Sequence, residues 1–255
     1  MTGVRSAYEE DGFCMVPEVV SQDLLPEACG VMDRVIGADY ETGLPPLASN
    51  WHPGDDPMRL VKIDQPQVAD HAITRFLEAT RIGEIAADLV GADMVQCWAV
   101  QLLFKPGPGT STGNVGWHQD DDYWHAWWEG EVFTCWLALS DVTAESGPMR
   151  FVSGSHDWGF LKSGNFFDPD MKNGQAAYPV PGDAGWDEVP AIMPPGGASF
   201  HHRRTIHGSG PNLSSSPRRS YAVHLRTERS VALAAPKEYL DQLDDQDMCP
   251  ILFQR

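Results

Sequence analysis

Basic residues are scarce in this chain. Its 255 residues hold 18 Lys plus Arg against 36 Asp plus Glu, a formal net charge of −18. Such a polyanion lacks the clustered Lys and Arg that phosphate contacts require, which excludes non-specific nucleic-acid binding. Anionic membrane surfaces are disfavoured for the same reason. There is no run of about 18 apolar residues, so no transmembrane helix is expected. The opening MTGVRSAYEEDG carries no apolar stretch of the kind a signal peptide needs, so a cytoplasmic location is expected. Cysteine is sparse: Cys14, Cys29, Cys97, Cys135 and Cys249 are scattered, odd in number and never spaced as CxxC. That pattern argues against a disulfide framework and against a thiolate zinc site. No internal repeat and no linker divides the chain.

Apolar residues make up 42% of the sequence, enough to build a sizeable core. Nine Trp and nine His are present, and both types crowd the middle of the chain. The first ninety or so residues read mostly helical. After Ser21, apolar residues Leu24, Leu25, Val31, Met32, Val35 and Ile36 repeat near the helical period, and a second helical stretch covers about Ile73 to Leu89. Between them, Asp39 to Pro57 is turn-rich and reads as a long loop. From Met94 the period falls to two. Met94–Lys105 reads as a strand with Gln96, Trp98, Val100, Leu102 and Phe104 on one face and Cys97, Ala99, Gln101, Leu103 and Lys105 on the other. Val132–Val142 is apolar on both faces and reads as a central strand. Shorter strands are expected at Met149–Val152, Val189–Met193, Ala198–His201 and Ser220–Arg226, with a second long loop at Asp157–Glu188 and an acidic helix at Lys237–Gln246. The whole is expected to be mainly β with flanking helices in a single domain, residues 1–255. It comprises a largely helical N-terminal part (1–92), a β core (93–230) and a C-terminal tail (231–255).

One segment carries chemistry: Gly116-Trp117-His118-Gln119-Asp120. Residues i and i+2 of a strand point the same way, so His118 and Asp120 would project an imidazole and a carboxylate into one space. These are two ligands of a facial two-histidine, one-carboxylate site, which leaves metal positions open. A third ligand would come from a distant strand, and the segment His201–Asn212 offers His201, His202 and His207. Beyond it lies Arg218, eleven residues after His207. A guanidinium near a metal suits a carboxylate-bearing cosubstrate, which it grips as a bidentate fork.

WHQD, WLALSD (Trp136–Asp141), ESGPMRFVSGSH (Glu145–His156), HGSGPN and Arg218 together resemble the phytanoyl-CoA dioxygenase family, as does the opening YEEDGFCMVPEVVSQDLL. The resemblance covers most of the chain. It implies a double-stranded β-helix (jelly roll) and a dioxygenase that uses Fe(II), 2-oxoglutarate and O2. It implies His118, Asp120 and His207 as iron ligands, Arg218 and Ser209 as partners of the 2-oxoglutarate carboxylate, and Gln101 as a further cosubstrate contact. Iron(II), Asp120, the cosubstrate dianion and Arg218 cancel in charge, which suits a buried cluster. Eleven residues beyond His201 and His202 lie Asn212 and Leu213, which cannot pair with a carboxylate, so His207 is the preferred third ligand. Alternation places only one of Arg218 and Arg219 in the pocket.

Asp120 stands where related halogenases carry a small residue, which favours hydroxylation or another C–H oxidation. The aromatic cluster Tyr123, Trp124, Trp127 and Trp128 is expected to wall a substrate pocket. A small, partly hydrophobic metabolite is the expected substrate. CoA esters are disfavoured by the charge and by the lack of a cluster to hold their phosphates; Arg59, Lys62, Arg203 and Arg204 are the few candidate cations. A monomer or small homo-oligomer is expected. The competing reading is a cupin-like metal-binding jelly roll that uses the same histidines without 2-oxoglutarate; such a protein has no need of Arg218.

Overall fold

The computed structural model describes residues 2–107, 113–162, 164–168, 170–182, 184–234 and 236–255. Among them the strands are β1 (Phe13–Val16), β2 (Ala48–Ser49), β3 (Val61–Asp64), β4 (Met94–Lys105), β5 (Val115–His118), β6 (Trp128–Glu129) and β7 (Val132–Ala138). They continue as β8 (Met149–Val152), β9 (Glu188–Pro190), β10 (Ala198–His202), β11 (His207–Ser209), β12 (Arg218–Thr227), β13 (Val231–Ala232) and β14 (Ile251–Gln254). The helices are α1 (Thr2–Asp11), α2 (Leu25–Ile36), α3 (Ala72–Glu78), α4 (Ile82–Val90), α5 (Asp121–Trp124), α6 (Met171–Ala176) and α7 (Lys237–Leu240).

Two antiparallel sheets form the framework. The larger runs β1-β10-β7-β12-β4-β3-β2, with β14 also paired to β4, and the smaller runs β5-β11-β8-β9. This is the jelly roll expected from the sequence. Both ends of the chain join it. β1, β2 and β3 come from the part read as helical, and β14 comes from the tail. β1, β3 and β14 follow from pairing with neighbours far away in sequence.

α2 and α4 bury Leu25, Ala28, Val31, Met32, Val35, Ile85 and Leu89 against the outer face of the large sheet. The stretch read as one helix from Ile73 to Leu89 is two. α3 ends at Glu78, the Thr80 hydroxyl caps the next turn by accepting from the Ile82 N–H, and α4 stops at Gly91, whose φ of 66° suits glycine. The second core lies between the sheets, where Leu103, Trp136, Ala138, Met149, Phe151 and Ala222 meet.

The strict alternation expected along Met94–Lys105 breaks at one position. β12 pairs His224 with Ala99 and Leu225 with Cys97, which leaves Trp98 as the extra residue of a bulge. Val95, Cys97, Val100 and Leu102 therefore pack toward the helices, while Trp98 and Ala99 join a separate aromatic cluster. Other differences are local. The 39–57 loop contains β2, the 157–188 loop contains α6, and the helix read at Lys237–Gln246 is the single turn α7.

Candidate active site

β5 and β11 are neighbours in the small sheet, and His118 lies directly opposite His207. The chain turns into α5 after Asp120, so the carboxylate stays beside both imidazoles. One ligand atom from each of His118, Asp120 and His207 lies within 4.8 Å of the others, and all three residues are buried. Each imidazole is oriented from behind: His118 Nδ1 bonds the Gly116 carbonyl at 2.9 Å and His207 Nδ1 bonds the Thr205 carbonyl at 2.9 Å. A carbonyl only accepts, so each Nδ1 carries the proton and each Nε2 has a bare lone pair. Those Nε2 atoms face Asp120 Oδ1 at 3.9 and 3.6 Å. Burial, followed by the neighbouring histidine, pushes both imidazoles down to about 4, so both are neutral near pH 7. Burial alone would raise the Asp120 carboxyl, but His207 and the hydrogen bond with His201 hold it well below the usual carboxylate range.

The two Asp120 oxygens have different surroundings. Oδ1 faces the histidine pair, while Oδ2 accepts from Thr134 Oγ1 at 2.6 Å and from His201 Nε2 at 3.2 Å. Thr134 Oγ1 is itself 2.9 Å from His224 Nδ1. Because the hydroxyl donates to Asp120, it accepts from His224. His201 and His224 thus form, with Thr134, a hydrogen-bonded array behind the carboxylate. Alternation on β12 could have found His224, since it shares the Arg218 face.

Arg218 is 1% exposed, while Arg219 points outward to Asp33 at 2.8 Å. The Arg218 guanidinium lies 5.1 Å over the Trp136 ring, and Nη1 donates to the Gly147 carbonyl at 2.6 Å. Its Nε is buried without a partner, and among the described residues no carboxylate pairs with it. Arg218, Ser209, Gln101, Trp136, His118, Asp120 and His207 border one void of about 30 Å³. A metal and a carboxylate ligand suit this donor set: two bare imidazole nitrogens, one carboxylate oxygen and an orphaned guanidinium.

A larger cavity of about 260 Å³ adjoins it, and Gln101, His118, Asp120, Phe166 and His224 border both. Tyr123, Trp124 and Trp127 line this cavity, as do Trp98 and Tyr239. Trp128 does not. It is 2% exposed and packs behind Trp98 at 5.4 Å, held in the two-residue pairing of β6 with β13 while Trp127 lies in the turn before it. The candidate cations are largely committed elsewhere. Lys62 pairs with Asp64 at 2.5 Å on the cavity wall, and Arg203 and Arg204 both bind the buried Asp121. His125 is half exposed and stacks on Phe160, and His156 meets His202. Lys105 was read only as a face residue of its strand; it is 1% exposed and bonds Ser209.

Between the sheets of a jelly roll, His118, Asp120 and His207 could thus hold a metal ion beside an arginine without a carboxylate partner among the described residues. The sequence profile of the phytanoyl-CoA dioxygenase family matches residues 8–220, and the chain belongs to that family. Among curated proteins it is 25% identical over 178 residues to phytanoyl-CoA dioxygenase domain-containing protein 1 of Danio rerio, covering 67% of this chain and 58% of that protein. It is 26% identical over 175 residues to a probable alpha-ketoglutarate-dependent hypophosphite dioxygenase of Stutzerimonas stutzeri, covering 65% of this chain and 57% of that protein. The matches thus span less than two thirds of these relatives. In structure, the carbocyclase SnoK from nogalamycin biosynthesis superposes with a TM-score of 0.72 at 22% identity, covering 95% of this chain and 90% of that one. The epimerase SnoN, solved with Fe3+, alpha ketoglutarate and nogalamycin RO, gives 0.72 at 23% identity, covering 91% and 86%. Among the described residues no helix is long and apolar enough to cross a membrane.

Proposed function

We propose that the chain is a non-haem Fe(II)/2-oxoglutarate-dependent dioxygenase that hydroxylates, or otherwise oxidises, a C–H bond of a small, partly hydrophobic metabolite not carried on CoA. The observation that carries this reading is the conjunction in one buried space of His118, Asp120 and His207 with an arginine that pairs with no carboxylate among the described residues. A cupin-like metal protein would have no use for that arginine. Family membership and the cosubstrates named for SnoN and the Stutzerimonas stutzeri relative agree with the reading.

In this reading His118 and His207 hold iron through Nε2 and Asp120 through Oδ1. Arg218 and Ser209 take the far carboxylate of 2-oxoglutarate, with Trp136 beneath the guanidinium and Gln101 at the border of both cavities. With both groups bound, the centre supplies an O2-driven oxidation coupled to loss of CO2 and formation of succinate. The protein supplies position and dryness. Backbone carbonyls fix the tautomers, the Thr134–His201 pair fixes the carboxylate, and aromatic walls keep water from the reacting bond. The retained carboxylate favours hydroxylation over halogenation, because it fills the position a halide would need. Tyr123, Trp124 and Trp127 would contact the substrate.

The −18 charge and the pairing of Lys62, Arg203 and Arg204 with Asp64 and Asp121 among the described residues support a substrate without a CoA phosphate tail. The test is 2-oxoglutarate turnover to succinate across a panel of free aromatic and terpenoid-like metabolites and acyl-CoA esters. Succinate release stimulated by a free metabolite is expected. Stimulation confined to the CoA esters would overturn the substrate class.

A further inference from the structure

A second buried cation stands behind Arg218, on the strand beside it. Lys105 is 1% exposed and lies directly across from Arg218 in the β4–β12 pairing. Among the described residues no carboxylate lies within ion-pair distance of its ammonium, in a protein with twice as many acidic as basic side chains. Its partners are all oxygens of one short segment: Ser209 Oγ at 2.6 Å, the Gly210 carbonyl at 2.5 Å and the Ser209 carbonyl at 3.3 Å. Its own backbone carbonyl is held by Asn212 Nδ2 at 3.2 Å. Ser209 borders the same void as Arg218.

Donor counting gives this arrangement a direction. An ammonium has three N–H donors and no acceptor, and two of the partners are carbonyls that only accept. When Lys105 is charged, the Ser209 oxygen must accept from it, and the Ser209 hydroxyl proton is turned outward, free to donate into the void. When Lys105 is neutral, its two N–H groups serve the carbonyls and its lone pair meets Ser209, which then spends its proton on the lysine. We propose that Lys105 is a positioning residue for the anionic cosubstrate: its charged form turns the Ser209 hydroxyl into a donor aimed at the same carboxylate as Arg218. The inference rests on the 2-oxoglutarate reading above. It also revises the charge count at the site, because a bound dianion would face two cations at its far end.

The protonation of Lys105 and anion binding are thereby linked. Burial, with Arg218 adding to it, pushes the Lys105 amine well below its ordinary range. Among the described residues Arg218 is the one charged side chain acting on it; the other neighbouring groups, Ser209, Gly210 and Asn212, are neutral. Burial also lowers Arg218, to about 9, so the two cations must be told apart by substitution.

The experiment is calorimetric titration of Mn(II)-loaded protein with 2-oxoglutarate between pH 6.5 and 9.5. It compares wild type with Lys105→Arg, Lys105→Met, Ser209→Ala and the Lys105→Met/Ser209→Ala double variant. Wild-type affinity should fall by up to about tenfold per pH unit once Lys105 loses its proton, with a proton taken up on binding. Lys105→Arg, which keeps its charge, should remove that fall; a fall due to Arg218 would persist. Ser209→Ala should weaken binding about tenfold, the loss of one hydrogen bond to a charged group, and Lys105→Met should then add little to it. Ser209→Ala and Lys105→Arg keep the test open if Lys105→Met fails to fold. An alkaline fall that persists in Lys105→Arg overturns the proposal, as do Lys105→Met and Ser209→Ala effects that multiply independently. Wild type that binds no 2-oxoglutarate at any pH overturns the cosubstrate reading together with it.

Discussion

Thr134→Val is a nearly isosteric change that separates the array behind Asp120 from the ligands themselves. The hydroxyl donates to Asp120 Oδ2 at 2.6 Å and meets His224 Nδ1 at 2.9 Å, in a residue 1% exposed. Valine keeps the shape and removes both bonds. A hydrogen bond to a charged group contributes about 1.5–3 kcal/mol, and a buried donor left unpaired costs about 1–3 kcal/mol. Oδ2 keeps His201 at 3.2 Å, so the carboxylate is loosened and not released. The expected loss in apo stability is about 2–4 kcal/mol, read by urea denaturation at pH 7.5. Outer partners of metal ligands are typically worth 10–100-fold in metal affinity, so Mn(II) should bind about that much more weakly. Thr134→Ser keeps the hydroxyl and should restore most of the metal affinity. Thr134→Val with wild-type metal affinity would refute the claim that the array orients Asp120.

The apo protein should be acid-labile. His118 and His207 titrate near 4 when folded and near 6.5 when unfolded, so between those values the unfolded chain binds more protons and stability falls as pH drops. The nominal contribution is about 3 kcal/mol for each histidine, and the urea midpoint should fall between pH 7.5 and 5; an unchanged midpoint would contradict the neutral, buried state of the pair. Gly116→Ala should unfasten the segment that covers His118, because a Cβ there would meet the Asn165 carbonyl at 2.1 Å and the Gly116 N–H donates to Phe166 at 2.8 Å. Overpacking of this kind costs about 1–3 kcal/mol. A lower melting temperature and faster proteolysis near residue 165 are expected; wild-type values for both would show that the close approach is unimportant.

The HxD pair, the distal histidine and the arginine could be read from the sequence because each rests on a short-range rule. Two-residue periodicity sends Arg218 inward while Arg219 goes out to Asp33, whereas Asp120 lies past the end of β5 at the start of α5 and still meets both imidazoles. The same rule, applied to the neighbouring strands, reaches Lys105, Thr134 and His224, but only once strand pairing is known. Asp120 has Thr134 as its partner because β7 lies beside β10 and β12 in the large sheet. The bulge at Trp98 is a second limit. One unpaired residue flips the face of Gln96 and Cys97 relative to what alternation predicts, and nothing local to MVQCWAV marks it. β1, β3 and β14 are legible only as partners: β8, of the same length, is read from the sequence, but these three are defined by pairing with β10 and β4 far away in sequence. Trp128 shows the converse: composition marked an aromatic wall, but which indoles face the cavity depends on a two-residue ribbon with Val231–Ala232.

The most direct measurement of the central claim is the visible spectrum of the anaerobic protein titrated with Fe(II) and then 2-oxoglutarate. If His118, Asp120 and His207 hold iron with the cosubstrate anchored at Arg218, a charge-transfer band will appear only when both are present. It will vanish in Asp120→Ala and require much more 2-oxoglutarate in Arg218→Ala. A folded wild-type protein that develops no band, or an Arg218→Ala variant that saturates at the wild-type concentration, would contradict the account.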